Sequence, residues 1–119
     1  NFSLAEFGCS CGCGTNEIKI DLLQALQEVR DALDEPMAIT SGYRCEQHNK
    51  AVGGAPSSSH LKGWAADIAV PSSSYAYDIM EALFETKKFH RIGYGKMGGQ
   101  LVLHVDIDLD KAPRVMWGY

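Results

Sequence analysis

One aspartate of this chain sits where an aspartate is expensive. The run Ala65-Ala66-Asp67-Ile68-Ala69-Val70 reads as a buried strand, and an ionised carboxylate within it must be met by a cation or by strong donors. Upstream, His60 closes the Ser-rich loop Ala55-Pro56-Ser57-Ser58-Ser59. Gly63, with the small Ala65 and Ala66, lets that loop fold back until both side chains converge on one ion. A second apolar run, Gln100 to Ile107, carries His104 and Asp106. Strand alternation puts these two on one side of a sheet and Leu103 and Val105 on the other. A lone buried histidine or strand aspartate is ordinarily satisfied by a hydrogen bond. Together, two imidazoles and one carboxylate are the ligand set of a zinc centre that keeps its fourth position open, which makes His60, Asp67 and His104 candidate ligands of one zinc ion.

The rest of the chain supplies a scaffold for such strands. Ile18, Leu22, Leu23, Leu26, Val29 and Leu33 recur at helical spacing and predict an amphipathic helix over Glu17 to Leu33, stopped by Asp34-Glu35-Pro36. Met37-Ala38-Ile39-Thr40 reads as a short strand, Glu46 to Val52 as a short helix ended by Gly53-Gly54, and Tyr75 to Thr86 as a second amphipathic helix. Arg91 to Tyr94 and Gln100 to Ile107 are the last two expected strands, joined through Lys96-Met97-Gly98-Gly99. Helices interleaved with strands in this way predict an α+β fold, a small mostly antiparallel sheet with helices packed on one face.

At 119 residues with 45% apolar content the chain closes one core, so residues 1–119 are read as a single domain. A formal charge of -4 with no run of Lys or Arg offers nothing to nucleic acid or to an anionic membrane. The expectation is no nucleic-acid partner, no membrane insertion and a monomer. The opening Asn1-Phe2-Ser3 lacks the charged and apolar regions of a signal peptide.

The four cysteines are spaced unusually. Cys9, Cys11 and Cys13 alternate within a Gly-rich segment, and Cys45 follows Ser41-Gly42-Tyr43-Arg44. One of the first three paired with Cys45, or plain thiols filling a tight turn, is favoured over a four-cysteine zinc knot, because zinc knuckles usually leave two residues between cysteines rather than one.

The pattern Ser-x-His-x-x-Gly-x-Ala-x-Asp from Ser58 to Asp67, preceded by Ser-Gly-Tyr-Arg and followed by a strand carrying His, resembles the zinc-dependent D-Ala-D-Ala carboxypeptidase family of peptidoglycan peptidases. Its relatives include VanX-type dipeptidases, phage endolysin peptidases and, more distantly, the hedgehog signalling domains. The likeness runs from Phe2 to about Trp117. It is greatest to small members with a His-Val-Asp third motif and an opening Phe-Ser-x-x-Glu-Phe, here Phe2 to Phe7.

The resemblance implies a hedgehog- and DD-peptidase-like fold, zinc held by His60, Asp67 and His104, and Arg44 as the arginine that polarises the scissile carbonyl and steadies the oxyanion. A fixed guanidinium aimed at developing charge suits that role; the plainer reading is a salt bridge to Asp67 or Asp106. The resemblance also places Ser58 near the substrate, where the plainer reading is a loop hydroxyl. The implied reaction is hydrolysis of a peptide bond in the peptidoglycan stem, as carboxypeptidase or endopeptidase, in the periplasm, outside the cell, or by a phage protein acting on the wall.

One position departs from the family. Where many members carry a catalytic Glu or Asp three residues before the last ligand, this chain has Leu101. Asp106 is the replacement candidate for general base, and its competing role is a partner that orients a ligand imidazole or Arg44. His48, on the short helix, is read as exposed, with a place near the cleft as its alternative, and His90 as a strand-edge or surface residue. The missing carboxylate also admits an inactive zinc-containing cell-wall-binding or structural module, and the cysteines admit a disulfide-stapled domain without metal.

Overall fold

The computed structural model describes residues 2–119; Asn1, part of the opening read for a signal peptide, lies outside them. The elements in chain order are a short 3-10 helix (Leu4–Phe7), α1 (Ile20–Leu33), β1 (Ile39–Ser41), α2 (Glu46–Ala51), a second 3-10 helix (Ser59–Lys62), β2 (Ala65–Ala69), α3 (Ser73–Thr86), β3 (Arg91–Met97), β4 (Gln100–Asp106) and β5 (Val115–Gly118). They build an α+β fold around one five-stranded sheet in the order β1-β2-β4-β3-β5. Neighbours are antiparallel except β5, which runs parallel to β3.

Strand alternation divides the sheet into two unlike faces. Ala66 and Ile68 of β2, Leu103 and Val105 of β4 and Ile92 of β3 face Leu22, Leu26 and Val29 of α1 and Ile79 and Leu83 of α3, all of them in one buried cluster. Each such Leu, Ile or Val taken out of water contributes about 1.5–3 kcal/mol, so this side carries the stability. The polar residues occupy the opposite face. Cα pairing aligns Ser41, Asp67, His104, Gly93 and Trp117 in one row across all five strands. The adjoining row is Ala65, Asp106, Arg91 and Val115. The expected helices on one face are α1 and α3. The short α2 lies on the other side, where His48 and Val52 share a cleft with Asp67 and Val102.

Several boundaries differ from the sequence reading for identifiable reasons. α1 starts at Ile20 rather than Glu17, because the backbone N–H of Ile18 donates to the Asn16 side chain and that of Lys19 to the carbonyl of Gly63, which holds this segment extended. Gly63, at φ +74, crosses so close to the Glu17 carbonyl that any side chain would collide. The first strand is Ile39–Ser41 instead of Met37–Thr40, with Met37 buried in the core. α3 starts two residues earlier than expected, at Ser73, because the Ser72 side chain caps it by accepting from the backbone N–H of Tyr75 at 3.1 Å. β3 continues to Met97, and Gly98 and Gly99, both at positive φ, turn the chain into β4. β5 was not expected at all.

Candidate metal centre

His60 lies in the 3-10 helix that follows the Ser-rich loop, and Ser58 caps that helix by accepting from the His60 backbone N–H at 3.2 Å. Its ring is 1% exposed as a residue and fixed at Nδ1, which donates to the carbonyl of Gly42 at 2.7 Å. That bond leaves Nε2 as a bare lone pair, 3.2 Å from Asp67 Oδ1. His104 is held from the other side: Nε2 donates to Asp106 Oδ2 at 2.7 Å, and Nδ1 faces Asp67 Oδ1 at 3.2 Å. The atoms that could face a metal are therefore Nε2 of His60, Oδ1 of Asp67 and Nδ1 of His104, in a group whose ligand atoms lie within 4.8 Å of one another.

Three acceptors pointed at one spot call for a cation between them. Zinc bonds of 2.0–2.2 Å to nitrogen and oxygen, set tetrahedrally, separate neighbouring ligand atoms by about 3.3–3.5 Å, close to the two 3.2 Å spacings here. The residues thus fit zinc in their chemistry, their orientation and their spacing. The acid-base properties of the metal-free cluster follow from the same crowding. Burial pushes the Asp67 carboxyl up, but the His104 and His60 ring nitrogens beside it outweigh this and hold the group well below the carboxylate range. Burial pulls the His104 imidazole down, and the bonds to Asp106 and Asp67 override this and raise it.

The residues behind the ligands tie the site to the sheet. Asp106 is 1% exposed. Its Oδ1 takes Arg91 Nε at 3.0 Å and the Asp108 backbone N–H at 3.2 Å, while Oδ2 takes His104. Asp108 in turn accepts from Ser59 Oγ at 2.8 Å and Lys62 Nζ at 3.3 Å, which fastens the His60 helix to the end of β4. Trp117 of β5 packs its ring 5.6 Å from that of His104, with the Arg91 guanidinium 5.1 Å from the Trp117 ring on its own account. Gly93 makes room for this: a Cβ there would meet Trp117 Cε2 at 2.6 Å.

Among the described residues, Arg44 stands beside the candidate ligand triangle without a carboxylate of its own. Its Nη2 donates to Ser58 Oγ at 3.2 Å, and its Nε is buried with no acceptor among those residues. Burial lowers its pKa while the nearby Asp67 charge raises it. The salt bridge weighed for Arg44 is therefore not formed to Asp106, whose cation is Arg91. Ser58 is buried and holds Arg44 and the His60 backbone at once. Arg44 and Asp67 open on a cleft of about 400 Å³ whose walls include Ser10, Ser41, His48, Met97 and Gln100. His48 is half-buried there, with Nε2 3.1 Å from Ser10 Oγ, rather than exposed. His90 is exposed as expected.

Sequence reasoning missed Arg91, Trp117, Asp108 and the Gly42 carbonyl. The first had a signal: counting outward from Gly98-Gly99 pairs Gly93 with His104 and Arg91 with Asp106. Trp117 had none, since its place depends on a parallel pairing set far from its own sequence neighbourhood.

An α+β domain with a His-Asp-His triangle on the polar face of its sheet, beside an unneutralised arginine, has the makings of a metallopeptidase. Residues 1–106 match the family described as Peptidase M15, and the chain belongs to that family of zinc-dependent peptidases. No curated protein matches the sequence.

Proposed function

We propose that this chain is a zinc peptidase that hydrolyses a peptide bond in the stem peptide of bacterial peptidoglycan, at the cell wall. The observation that carries the reading is the convergence of three lone-pair donors on one point beside Arg44, at the wall of an open cleft. Zinc held there supplies Lewis-acid polarisation of the carbonyl and a more acidic bound water. His60, Asp67 and His104 hold the ion, the first and last oriented by Gly42 and Asp106.

Arg44, preset by Ser58, aims its guanidinium at the negative charge that builds on the scissile carbonyl oxygen. Such a donor is worth about 10²–10³ in rate when it is already in place. Asp106 acts as the carboxylate behind His104, because both its oxygens are taken by Arg91, Asp108 and His104. That leaves it no free oxygen with which to accept a proton from water. Family resemblance, not the cleft itself, supports the peptidoglycan stem as substrate and the D-Ala-D-Ala type of bond within it.

A second reading has one specific support. Leu101 is partly buried and packs against the core, so no carboxylate comes from the position where many relatives carry one. An inactive zinc-containing wall-binding module would look like this. Incubation of the purified chain with soluble muropeptides, followed by mass spectrometry, separates the two. Cleavage that disappears with a chelator and in His60→Ala supports the peptidase. Zinc-dependent binding of intact fragments with no cleavage supports the module.

A further inference from the structure

The four cysteines come together in a way that neither a disulfide nor packing explains. The Sγ atoms of Cys9, Cys11 and Cys45 form a triangle with sides of 3.4, 3.7 and 3.7 Å. Cys13 joins them, the four ligand atoms lying within 4.8 Å of one another. All four are free thiols, and their spacing is far beyond the roughly 2.05 Å of a disulfide. Thiolates bonded tetrahedrally to zinc at about 2.3 Å stand about 3.8 Å apart, close to what is observed. The account of small apolar thiols filling a turn requires burial, yet Cys11 and Cys13 are exposed.

The backbone is built to gather them. Gly12 and Gly14 adopt φ +85 and +77 with open space around them, so conformation rather than crowding calls for glycine there. These two left-handed residues fold the alternating cysteines back onto one centre, which is how a one-residue spacing does the work of the usual two. Backbone amides point at the sulfurs: Thr15 N–H to Cys13, Cys45 N–H to Cys9 and His48 N–H to Cys45, at 3.4–3.5 Å. Amides donating to sulfur are the support that thiolate ligands receive in metal centres.

We propose that Cys9, Cys11, Cys13 and Cys45 bind a second zinc ion in a structural tetrathiolate site, separate from the His60–Asp67–His104 centre. All four positions are filled by protein, as in closed structural sites, and sulfur is the ligand type that selects zinc. The ion joins the N-terminal segment to the residue after Arg44. Between them the Tyr43 backbone N–H already donates to the Phe7 carbonyl at 2.8 Å, and Gly42 passes too close to Phe7 to carry a side chain. The site therefore braces the stretch that presents both the Gly42 carbonyl to His60 and the Arg44 guanidinium to the cleft. This inference does not depend on the substrate or on the peptidase activity.

The test uses the full chain purified under reducing conditions without added metal. Elemental analysis should find about two equivalents of zinc, falling by one in Cys11→Ser and by one in His60→Ala. The four thiols should resist alkylation until a chelator is added. Should Cys11→Ser fail to fold, cobalt-substituted His60→Ala gives an independent readout. It should show thiolate-to-cobalt charge-transfer absorption, because the cysteines then hold its remaining ion. One zinc in the parent and none in His60→Ala would overturn the second site while leaving the first intact, as would thiols alkylated at once or a mass short of the hydrogens lost to disulfides.

Discussion

Asp106 holds His104 from behind: its Oδ2 accepts from the ring Nε2 at 2.7 Å, and that bond turns the opposite nitrogen toward Asp67. Because Asp106 also takes Arg91 at 3.0 Å, a single buried carboxylate sets both the orientation and the basicity of a candidate metal ligand. Asp106→Asn keeps the shape and removes the charge. Zinc affinity should fall about 10–100-fold, measured by competition with a chromophoric chelator. Asp106→Ala also strands the mostly buried Arg91 and should lower unfolding stability by about 3–5 kcal/mol, read from denaturant curves. Unchanged zinc affinity in Asp106→Asn would remove its role as the orienting partner.

Arg44 is expected to act after binding and not on the metal. Arg44→Ala should retain its zinc and lose about 10²–10³ in kcat, and Arg44→Lys should recover little, since an ammonium cannot reproduce the guanidinium geometry. Ser58→Ala frees one Arg44 donor and should cost roughly fivefold in kcat, the equivalent of about 1 kcal/mol. Steady-state kinetics on muropeptides, with metal content measured beside them, checks all three.

Gly93 is a test of the row that crosses the sheet. A methyl group there would meet Trp117 Cε2 at 2.6 Å, so Gly93→Ala must push the indole off His104. The expected cost is about 1–3 kcal/mol of stability, with a shift in tryptophan emission and weaker metal binding. A variant with native emission and native zinc affinity would show that the indole does not support the ligand.

The metal-free and zinc-loaded proteins should diverge as pH rises. In the metal-free chain the raised pKa of His104 contributes stability that is complete below its unfolded value of about 6.5 and is lost as pH rises through the higher folded value. The depressed Asp67 carboxyl contributes above its unfolded value of about 3.9 and fails only as pH falls through the folded one. Zinc needs neutral imidazoles, so its contribution grows across the window in which the His104 term fades. Denaturant midpoints between about pH 5 and 8, with and without chelator, should show a gap that widens with pH; a narrowing gap would contradict the assignment.

The candidate cluster of His60, Asp67 and His104 and the core face were legible because each rests on a local rule. Asp67 stood out by its cost within an apolar strand, and alternation alone put His104 and Asp106 on one face, as β4 shows. Both roles for Asp106, general base and orienting partner, were legible, but the choice between them was not, since it depends on Arg91 arriving from β3. β5 escaped because Val115–Gly118 is short, follows Pro113 and a left-handed Arg114, and pairs in parallel with a strand many residues away. The start of α1 failed for a similar reason: apolar spacing continued to Ile18, while the Asn16 side chain and the Gly63 carbonyl claimed the backbone first. The cysteine spacing departs from the usual zinc knuckle because the left-handed Gly12 and Gly14 take the backbone along a different path, which spacing alone does not reveal.

β4 lies between β2 and β3, and its alternation gives the core Leu103 and Val105 and the metal His104. A slip of one residue against either neighbour would exchange those assignments, burying the imidazole and presenting leucine to the ion. Capture of the proposed zinc at this centre would therefore gauge strand register: a chain collapsed with the wrong pairing has no place to put the metal, and only the correctly threaded sheet would be locked by it.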